Sequence, residues 1–290
     1  MKITKLVFMA AIAAVTGCCS VDCGCGCKKG DEPRISVFAA FIRNTAKQRG
    51  VSLAEAADML YDLGVRGFDV GPDDKDLPEL AATKLKPINF YFFPKMLGAD
   101  NGAADCKRCL DQAEKYGVPR VMVVPSHFTD GGDQEAEFAK DMSGMKLFVA
   151  EAKKRGITIT VEDFGGTKNP GSYAKYLKRF LDEIPDIKFA LDSGNLYYAN
   201  RGEDILDMME YAKGRVAHIH LKDQTPEDHH CYQTLGLGGV PNEKIVKTMN
   251  AAGYDGWYTL ENTVKGADVY IETVRQVAVL KAWLKESSKR

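Results

Sequence analysis

The stretch FAKDMSGMKLFVAEAKKRGITITVED, residues 138–163, contains the pattern that decides the fold. From Phe138 to Ala152 apolar residues recur every three or four positions, which is the spacing of a helix with one buried face. Gly156 follows, and glycine tolerates the left-handed conformation that commonly ends a helix. The next segment, ITITV, carries no charge and is typical of a strand covered on both faces. The stretch therefore predicts one helix–strand unit of a parallel sheet.

The same alternation of strand and helix extends from Pro33 to the end of the chain. Segments with helical spacing separate eight short β-rich runs, and glycine follows several of the predicted helices. The predicted strands are Arg34–Phe41, Val65–Val70, Pro87–Phe93, Arg120–Pro125, Ile157–Glu162, Ile187–Asp192, Arg215–Leu221 and Gly256–Glu261. Eight such units over residues 33–290 predict a single-domain α/β fold, a (β/α)₈ TIM barrel. A doubly wound sheet would favour a GxGxxG loop after an early strand, and none occurs there.

The composition limits the classes of function. The chain has 290 residues, 39 Lys and Arg against 40 Asp and Glu, and a formal net charge of −1. Hydrophobic residues make up 45% and charged residues 27%, which excludes collagen-like, low-complexity and wholly disordered chains. Nucleic-acid binders normally carry a basic excess, so we expect no nucleic-acid partner.

The first 17 residues, MKITKLVFMAAIAAVTG, have the pattern of a signal peptide. Two lysines precede the apolar run Leu6 to Val15, which is shorter than the roughly 20 residues that span a bilayer as a helix. Val15-Thr16-Gly17-Cys18 resembles the lipobox of bacterial lipoproteins, and this resemblance implies lipidation of Cys18. We therefore expect an exported bacterial protein, periplasmic or an outer-membrane lipoprotein, that meets the membrane only through its lipid anchor. A plain signal peptidase site, releasing a soluble periplasmic protein, is the alternative.

Cysteine is unevenly distributed along the chain. Five of the eight cysteines lie between Cys18 and Cys27, inside residues 18–32, which have no apolar period and are predicted to form a Cys-rich flexible tether. These thiols could bind a soft metal or form disulfides, although they lack the paired CxxC spacing of a zinc ribbon. Cys106 and Cys109 form one CxxC inside a predicted helix, Ala104 to Tyr116, which favours surface thiols or a local disulfide over a redox motif.

Chemistry in a TIM barrel takes place at the carboxyl ends of the strands. Predicted strands five to eight deliver Glu162, Asp192, His220 and Glu261 to that rim. One such acid often only caps the following helix, and Asp163 and Asp223 could do just that. Four successive strands with acid, acid, imidazole and acid instead require a shared partner, because buried unpaired charges are costly. Carboxylates plus one imidazole suit Mn²⁺, Mg²⁺, Co²⁺ or Zn²⁺, so the pattern predicts a divalent metal ion.

Further residues are candidates for binding a substrate. By strand alternation His218 shares a side with His220 but lies deeper, where it could support a ligand or touch substrate. His127 follows strand four, and Lys222 could bind an anionic or carbonyl group. Tyr91 belongs to the aromatic run 90–93, which suits a sugar face. The loop 224–234, which carries His229 and His230, is long enough to be a lid.

The chain resembles the xylose isomerase-like TIM-barrel superfamily at Glu162, Asp192, HIHLKD (218–223), GLGG (236–239) and GYDGWYTLE (253–261). That group includes sugar phosphate isomerases and epimerases, ketose 3-epimerases, inosose dehydratases, hydroxypyruvate isomerases and nucleases of the endonuclease IV type. The ketose-epimerase branch implies a metal held by Glu162, Asp192, His220 and Glu261, with the two glutamates as the acid/base pair. Family members usually have histidine three residues after the strand-six acid. Here that residue is Asn195, which can hydrogen-bond a substrate hydroxyl but cannot carry a proton.

The resemblance implies an enzyme that removes a proton next to a carbonyl to give an enediolate. We expect an isomerase or epimerase acting on a free sugar or sugar derivative outside the cytoplasm. Loss of a β-substituent can follow the same first step, so a lyase or dehydratase on a keto-sugar or 3-keto-glycoside is the alternative. A non-catalytic carbohydrate-binding barrel is a second alternative, although binding alone would not require two carboxylates on one metal. The nuclease branch needs more histidines than the five present. A homo-oligomer remains open.

Overall fold

The structure is a computed structural model, and it describes residues 33–199 and 201–287. The predicted signal peptide (1–17), Cys18 and the predicted tether (18–32) lie outside the described residues. Within the described part of the chain, no helix has both the length and the apolar character needed to cross a membrane.

Eight parallel strands close into a barrel, which confirms the predicted (β/α)₈ TIM barrel. The strands are β1 (Ile35–Phe38), β2 (Val65–Val70), β3 (Lys86–Phe92), β4 (Arg120–Val123), β5 (Thr158–Glu162), β6 (Lys188–Asp192), β7 (Val216–Leu221) and β8 (Trp257–Leu260). Each pairs with its neighbours in sequence, and β8 closes the barrel on β1 with Tyr258 opposite Ile35. Because Ala39 already begins a helix, the predicted first strand extends three residues too far.

Helices follow the strands and cover the outside of the barrel. They are α1 (Ala39–Arg49), α2 (Leu53–Asp62), α3 (Leu77–Ala81), α4 (Ala103–Tyr116), α5 (Gln134–Lys154), α6 (Ala174–Glu183), α7 (Asn195–Tyr198), α8 (Gly202–Ala212), α9 (Asn242–Ala251) and α10 (Val269–Ser287). Two shorter elements interrupt the pattern, a 3₁₀ turn at Pro170–Ser172 and a hairpin that pairs Asp223–Gln224 with Tyr232–Gln233. The sequence prediction did not include α1.

The α5–β5 unit shows how the sequence produces these elements. The Asp133 side chain accepts hydrogen bonds from the first backbone N–H groups of α5 and so caps its N-terminus. Phe138, Met145 and Phe148 are buried on one face of the helix. Gly156 has a φ of 69°, so the predicted left-handed glycine after the helix is confirmed.

The inside of the barrel contains an unusual number of polar side chains. Asp69 of β2 hydrogen-bonds His218 of β7, although β1 and β8 lie between those strands. Both side chains therefore point into the barrel. Ser36 and Thr259 also hydrogen-bond each other, at 2.6 Å, and both are fully buried. Polar residues of this kind lie directly beneath the carboxyl ends of β5–β8.

Cys106 and Cys109 lie within α4 as predicted, but they are not surface thiols. They are 6% and 1% exposed and form no disulfide within the described part of the chain. Burial raises the pKa of the Cys106 thiol to about 12, so this thiol stays protonated at neutral pH. Both cysteines belong to the packing of α4 against the barrel.

Candidate active site

Four consecutive strands carry the predicted ligands to one end of the barrel. Glu162 and Asp192 are the last residues of β5 and β6, and His220 is the last but one of β7. Glu261 follows β8 directly, and its backbone N–H donates to the carbonyl of Leu221. Asp192 lies opposite His220 in the strand register. The structure thus brings together the four residues that the sequence singled out.

These four side chains form a compact group, which we call the acid cluster (Glu162, Asp192, His220 and Glu261). His220 Nδ1 lies 3.0 Å from Glu162 Oε1, 3.3 Å from Glu261 Oε2 and 3.7 Å from Asp192 Oδ2. One candidate ligand atom from each residue lies within 4.8 Å of all the others. Only Glu261 is noticeably accessible, with 19% of its side chain exposed. The cluster is therefore closed on the barrel side and reached through Glu261.

Two oxygens of the acid cluster are buried without a hydrogen-bond partner among the described residues. They are Asp192 Oδ2 and Glu261 Oε2. Lys222 Nζ lies 3.0 Å from Asp192 Oδ2 but without hydrogen-bond geometry. Buried oxygens without partners are costly, and carboxylates with one imidazole are a donor set of divalent cations. The residues present therefore fit a divalent cation.

Lys222 and Asn195 are held by other protein groups beside the acid cluster. The Lys222 ammonium is 2.6 Å from Glu261 Oε1 and donates to Asn195 Oδ1 at 3.1 Å. Asn195 Nδ2 donates to the backbone carbonyl of Asp163, so both ends of this amide are used. An ammonium has three N–H donors and an amide has a second N–H, so the substrate contacts of Lys222 and Asn195 stay predictions.

The two glutamates have different proton affinities. Burial raises the pKa of Glu162 to about 7, and the nearby His220 only partly offsets this effect. Burial also acts on Glu261, but the Lys222 ammonium and His220 outweigh it and hold the pKa of that carboxyl below its usual range. In the cluster without a cation, Glu162 therefore holds a proton more readily than Glu261.

Asp163 and Asp223, considered above as helix caps, have other roles. Asp163 accepts from the backbone N–H of Asp192 at 2.7 Å and so joins the ends of β5 and β6. The Asp223 carboxylate accepts from the backbone N–H groups of Gly236, Gly238 and Val240. The glycine-rich run 236–239 is thus wrapped around one buried carboxylate.

His218 lies beneath the acid cluster, fully buried, as strand alternation predicted. Its Nδ1 is 3.0 Å from Arg120, and its Nε2 is 2.8 Å from Asp69 and 3.1 Å from Thr259. A substrate contact by His218 would require one of these bonds to break. The sequence analysis missed Arg120 and Thr259 because it considered only strand ends. The missed signal was polar residues at inward-facing positions within β4 and β8.

Aromatic rings lie next to His220 of the acid cluster. Tyr91 is half-buried and stacks on Phe38, with ring centroids 5.4 Å apart and planes inclined by 17°. Phe38, which the sequence analysis did not single out, also meets His220 edge-on at 5.0 Å. The exposed His127 packs edge-on against Phe164 at 6.0 Å, farther out on the rim. Tyr91 thus stacks on Phe38, the aromatic residue that contacts His220, whereas His127 packs against Phe164 on the outer rim.

The predicted lid, residues 224–234, folds against the α7 turn. His229 lies over Tyr197 with ring centroids 4.2 Å apart, and His230 meets Tyr198 edge-on at 4.1 Å. Because α7 begins with Asn195, this loop packs on the element that also contacts Lys222.

Comparisons with known proteins agree with this fold. A family model described as xylose isomerase-like TIM barrel matches residues 46–286. The chain is 22% identical over 206 residues to a provisionally named hydroxypyruvate isomerase of Streptomyces coelicolor, across 64% of this chain and 72% of that protein. It is 30% identical over 96 residues to an inosose dehydratase of Histophilus somni, across 32% of this chain and 31% of that protein, and so spans less than a third of that relative. The 3-keto-D-glucoside 4-epimerase structure of E. coli has a TM-score of 0.68 at 15% identity, over 87% of this chain and 100% of that one, a likeness of fold alone.

Proposed function

This chain belongs to the xylose isomerase-like TIM barrel family, and we propose that it is a metal-dependent sugar isomerase or epimerase that abstracts a proton next to a carbonyl. The acid cluster is the observation that carries the proposal. Two glutamates, one aspartate and one histidine converge within 4.8 Å, and two of their oxygens lack a hydrogen-bond partner among the described residues. A carbohydrate-binding barrel without catalysis would not need this set.

We propose that Glu162, Asp192, His220 and Glu261 hold the cation and that the two glutamates exchange protons with the substrate. A bound divalent ion would polarise the carbonyl and favour the charge that develops on its oxygen. Glu162 and Glu261 are the candidates for accepting the proton from the carbon next to the carbonyl and for returning one. Lys222, 2.6 Å from Glu261, holds that carboxylate beside the proposed cation site.

The comparisons support sugar chemistry of this kind without fixing the class. The relatives include a hydroxypyruvate isomerase and an inosose dehydratase by name. A lyase or dehydratase acting on a keto-sugar or 3-keto-glycoside is the second candidate. The match to an inosose dehydratase favours it, since elimination begins with the same abstraction of a proton next to a carbonyl.

We also propose that the substrate is a free sugar or sugar derivative encountered outside the cytoplasm. The support is the signal-peptide pattern of residues 1–17 and the lipobox-like sequence ending at Cys18. Phosphorylated sugars are mainly cytoplasmic, so an exported enzyme would meet free sugars and glycosides. The stacked rings of Phe38 and Tyr91 beside His220 are suited to a sugar face.

The experiment is a solvent-exchange screen with the full-length chain and Mn²⁺ in D₂O. A panel of ketoses, aldoses and 3-keto-glycosides is incubated and followed by NMR and mass spectrometry. Deuterium entering carbon next to the carbonyl, with an isomer as product, is the expected result. Elimination products would instead favour the lyase. No exchange with any sugar, together with no Mn²⁺ binding, would contradict the proposal.

A further inference from the structure

His220 belongs to two groups of side chains at once. Its Nδ1 faces the carboxylates of the acid cluster, and its Nε2 lies 3.1 Å from Asp69 Oδ2 on the opposite side of the ring. His220, Asp69 and His218 form a second compact group of candidate ligand atoms, which we call the inner group. Two neighbouring groups that share one imidazole raise the question of which one holds a cation.

The inner group is saturated with hydrogen bonds. Asp69 Oδ2 accepts from Asn89 Nδ2 at 2.7 Å and also contacts His218 and His220. Its other oxygen accepts from the hydroxyl of Thr259 at 3.3 Å. None of the oxygens and nitrogens of the inner group is among the buried polar atoms that lack a partner in the described residues. This contrasts with Asp192 Oδ2 and Glu261 Oε2 in the acid cluster.

Arg120 fixes the direction of the hydrogen bonds in the inner group. A guanidinium can only donate, so His218 Nδ1, 3.0 Å from Arg120 Nη1, must accept. The proton of His218 is then on Nε2, from where it is donated to Asp69. The same carboxylate oxygen faces Nε2 of His220, and it accepts there too. Asp69 therefore receives N–H groups from both histidines.

The buried Arg120 also makes the inner group unsuitable for a cation. Its guanidinium already supplies a positive charge next to His218, and no lone pair of the two Nε2 atoms is directed at a common centre. His220, by contrast, keeps one ring nitrogen available for a cation. With Nε2 engaged as a donor, the nitrogen left for a cation is Nδ1, which faces three carboxylates.

We propose that Asp69 is a positioning residue that holds the ring of His220 by Nε2 and thereby presents Nδ1 to the cation. His218 and Arg120 hold Asp69 in turn, so the support runs from β4 through β7 to β2 and back to β7. The inference rests on the proposed cation site in the acid cluster. Asp69, His218 and Arg120 are far apart in the sequence, and the inference gives them a supporting role. The residues at the strand ends have a different role, which is to bind the cation.

The test measures Mn²⁺ affinity of the full-length chain by isothermal titration, with Asp69→Asn as the variant. The substitution keeps shape and removes the charge of the acceptor, and we expect binding weaker by about 10- to 100-fold. Asp141→Asn is the matched control: it also neutralises a buried aspartate, but Asp141 contacts Ser126 and no member of the acid cluster. Its Mn²⁺ affinity should stay within about twofold of wild type, and circular dichroism should show both variants folded.

A wild-type affinity in Asp69→Asn would overturn this inference while leaving the proposed function intact. A wild-type chain that binds no Mn²⁺ would overturn the proposed function and this inference with it. Imidazole ¹H–¹⁵N NMR of the wild-type chain loaded with Zn²⁺ gives a second readout that does not depend on a variant folding. We expect His220 to carry its proton on Nε2, and coordination through Nε2 would refute the positioning role.

Discussion

Glu162 and Glu261 carry the same functional group in different electrostatic surroundings. Lys222 lies 2.6 Å from Glu261, whereas the polar partner of Glu162 is His220. The ammonium stabilises the ionised form of Glu261, and burial favours the protonated form of Glu162. Environments that push two carboxyl pKa values apart are the usual basis for an acid and a base in one site. These unlike surroundings distinguish the two glutamates that we propose as the acid/base pair.

Replacing either glutamate by glutamine tests whether both carboxylates take part in proton exchange. Glu162→Gln and Glu261→Gln keep the shape of the side chain but cannot exchange a proton. We expect solvent deuterium exchange into the substrate to fall by about 10²- to 10⁴-fold in each. Glu210→Gln, an exposed variant whose carboxylate pairs with Lys213 among the described residues, should exchange at the wild-type rate. Full activity in either active-site variant would contradict the acid/base assignment.

The raised pKa of Asp141 leads us to expect a pH dependence of stability that is unrelated to catalysis. Burial in α5 raises its pKa from the ordinary 3.8 to about 7. The folded state therefore binds a proton that the unfolded state has lost between these values. The contribution of Asp141 to the free energy of unfolding falls as pH rises from about 4 to about 7 and is constant above. The total change in this contribution is about 4 kcal/mol.

Asp141→Asn should remove this part of the pH dependence. Asparagine resembles the protonated acid, so the variant and wild type should unfold at similar urea concentrations at pH 4.5. At pH 8 the variant should be more stable by about 2–4 kcal/mol, because wild type then carries a buried charge. Equal stability at pH 8 would mean that this carboxyl is solvated in the folded protein.

The sequence could predict the acid cluster and place His218 beneath it, but not the contacts that support the cluster. The four cluster residues lie at the ends of consecutive strands, and strand ends can be recognised from the chain alone. The contact between Asp69 and His218 joins β2 to β7, and it depends on the closure of the barrel and on the register of its strands. Phe38 was missed for a similar reason. It lies on β1 and Tyr91 lies on β3, so the two rings meet only when both strands have paired with β2.

At the level of elements, the loop after β7 is organised by one carboxylate. Asp223 accepts from three backbone N–H groups of residues 236–240, and so substitutes for regular structure in that loop. Gly238 is required there, because a Cβ would lie 2.2 Å from Asp223 Oδ1 and 2.4 Å from the carbonyl of Gln224. The second contact is with backbone, which cannot move aside cheaply.

Gly238→Ala should therefore destabilise the fold through this loop. We expect a loss of about 1–3 kcal/mol in the free energy of unfolding, measured by urea denaturation. Gly214→Ala is the control, since a Cβ at Gly214 meets nothing within 4 Å and its backbone is not in the left-handed region. That variant should be as stable as wild type or slightly more so. If Gly238→Ala is as stable as wild type, the loop can move away from Asp223 without loss of stability.

Element boundaries were predicted well where glycine or a charge marks the end, and poorly where strand passes directly into helix. Gly156 follows α5 and was recognised from its position alone. The residues from Ala39 onward follow β1 without a turn residue, and α1 begins without a side-chain cap. The apolar run across this junction was therefore assigned to one strand. Local sequence contains no signal for a helix that begins inside an apolar run.

For the whole molecule, the remaining question is where the barrel is placed in the cell. The acid cluster is open only at the rim, and a free sugar reaching it must be in the same compartment as the barrel. The lipobox-like sequence ending at Cys18 predicts that this compartment lies outside the cytoplasm, with the barrel attached to a membrane through lipid. No helix in residues 33–199 and 201–287 is long and apolar enough to span a membrane.

Cys18→Ala tests that prediction in a bacterial host. The wild-type chain should incorporate labelled palmitate and sediment with membranes, because several acyl chains anchor a protein stably where one does not. The variant should lose the label and leave the membrane fraction or remain as an uncleaved precursor. Cys106→Ala is the control, since that thiol is buried in α4 and should have no effect on labelling. A wild-type chain that is exported but unlabelled would instead favour cleavage by an ordinary signal peptidase, and the substrate would then meet a freely diffusing enzyme.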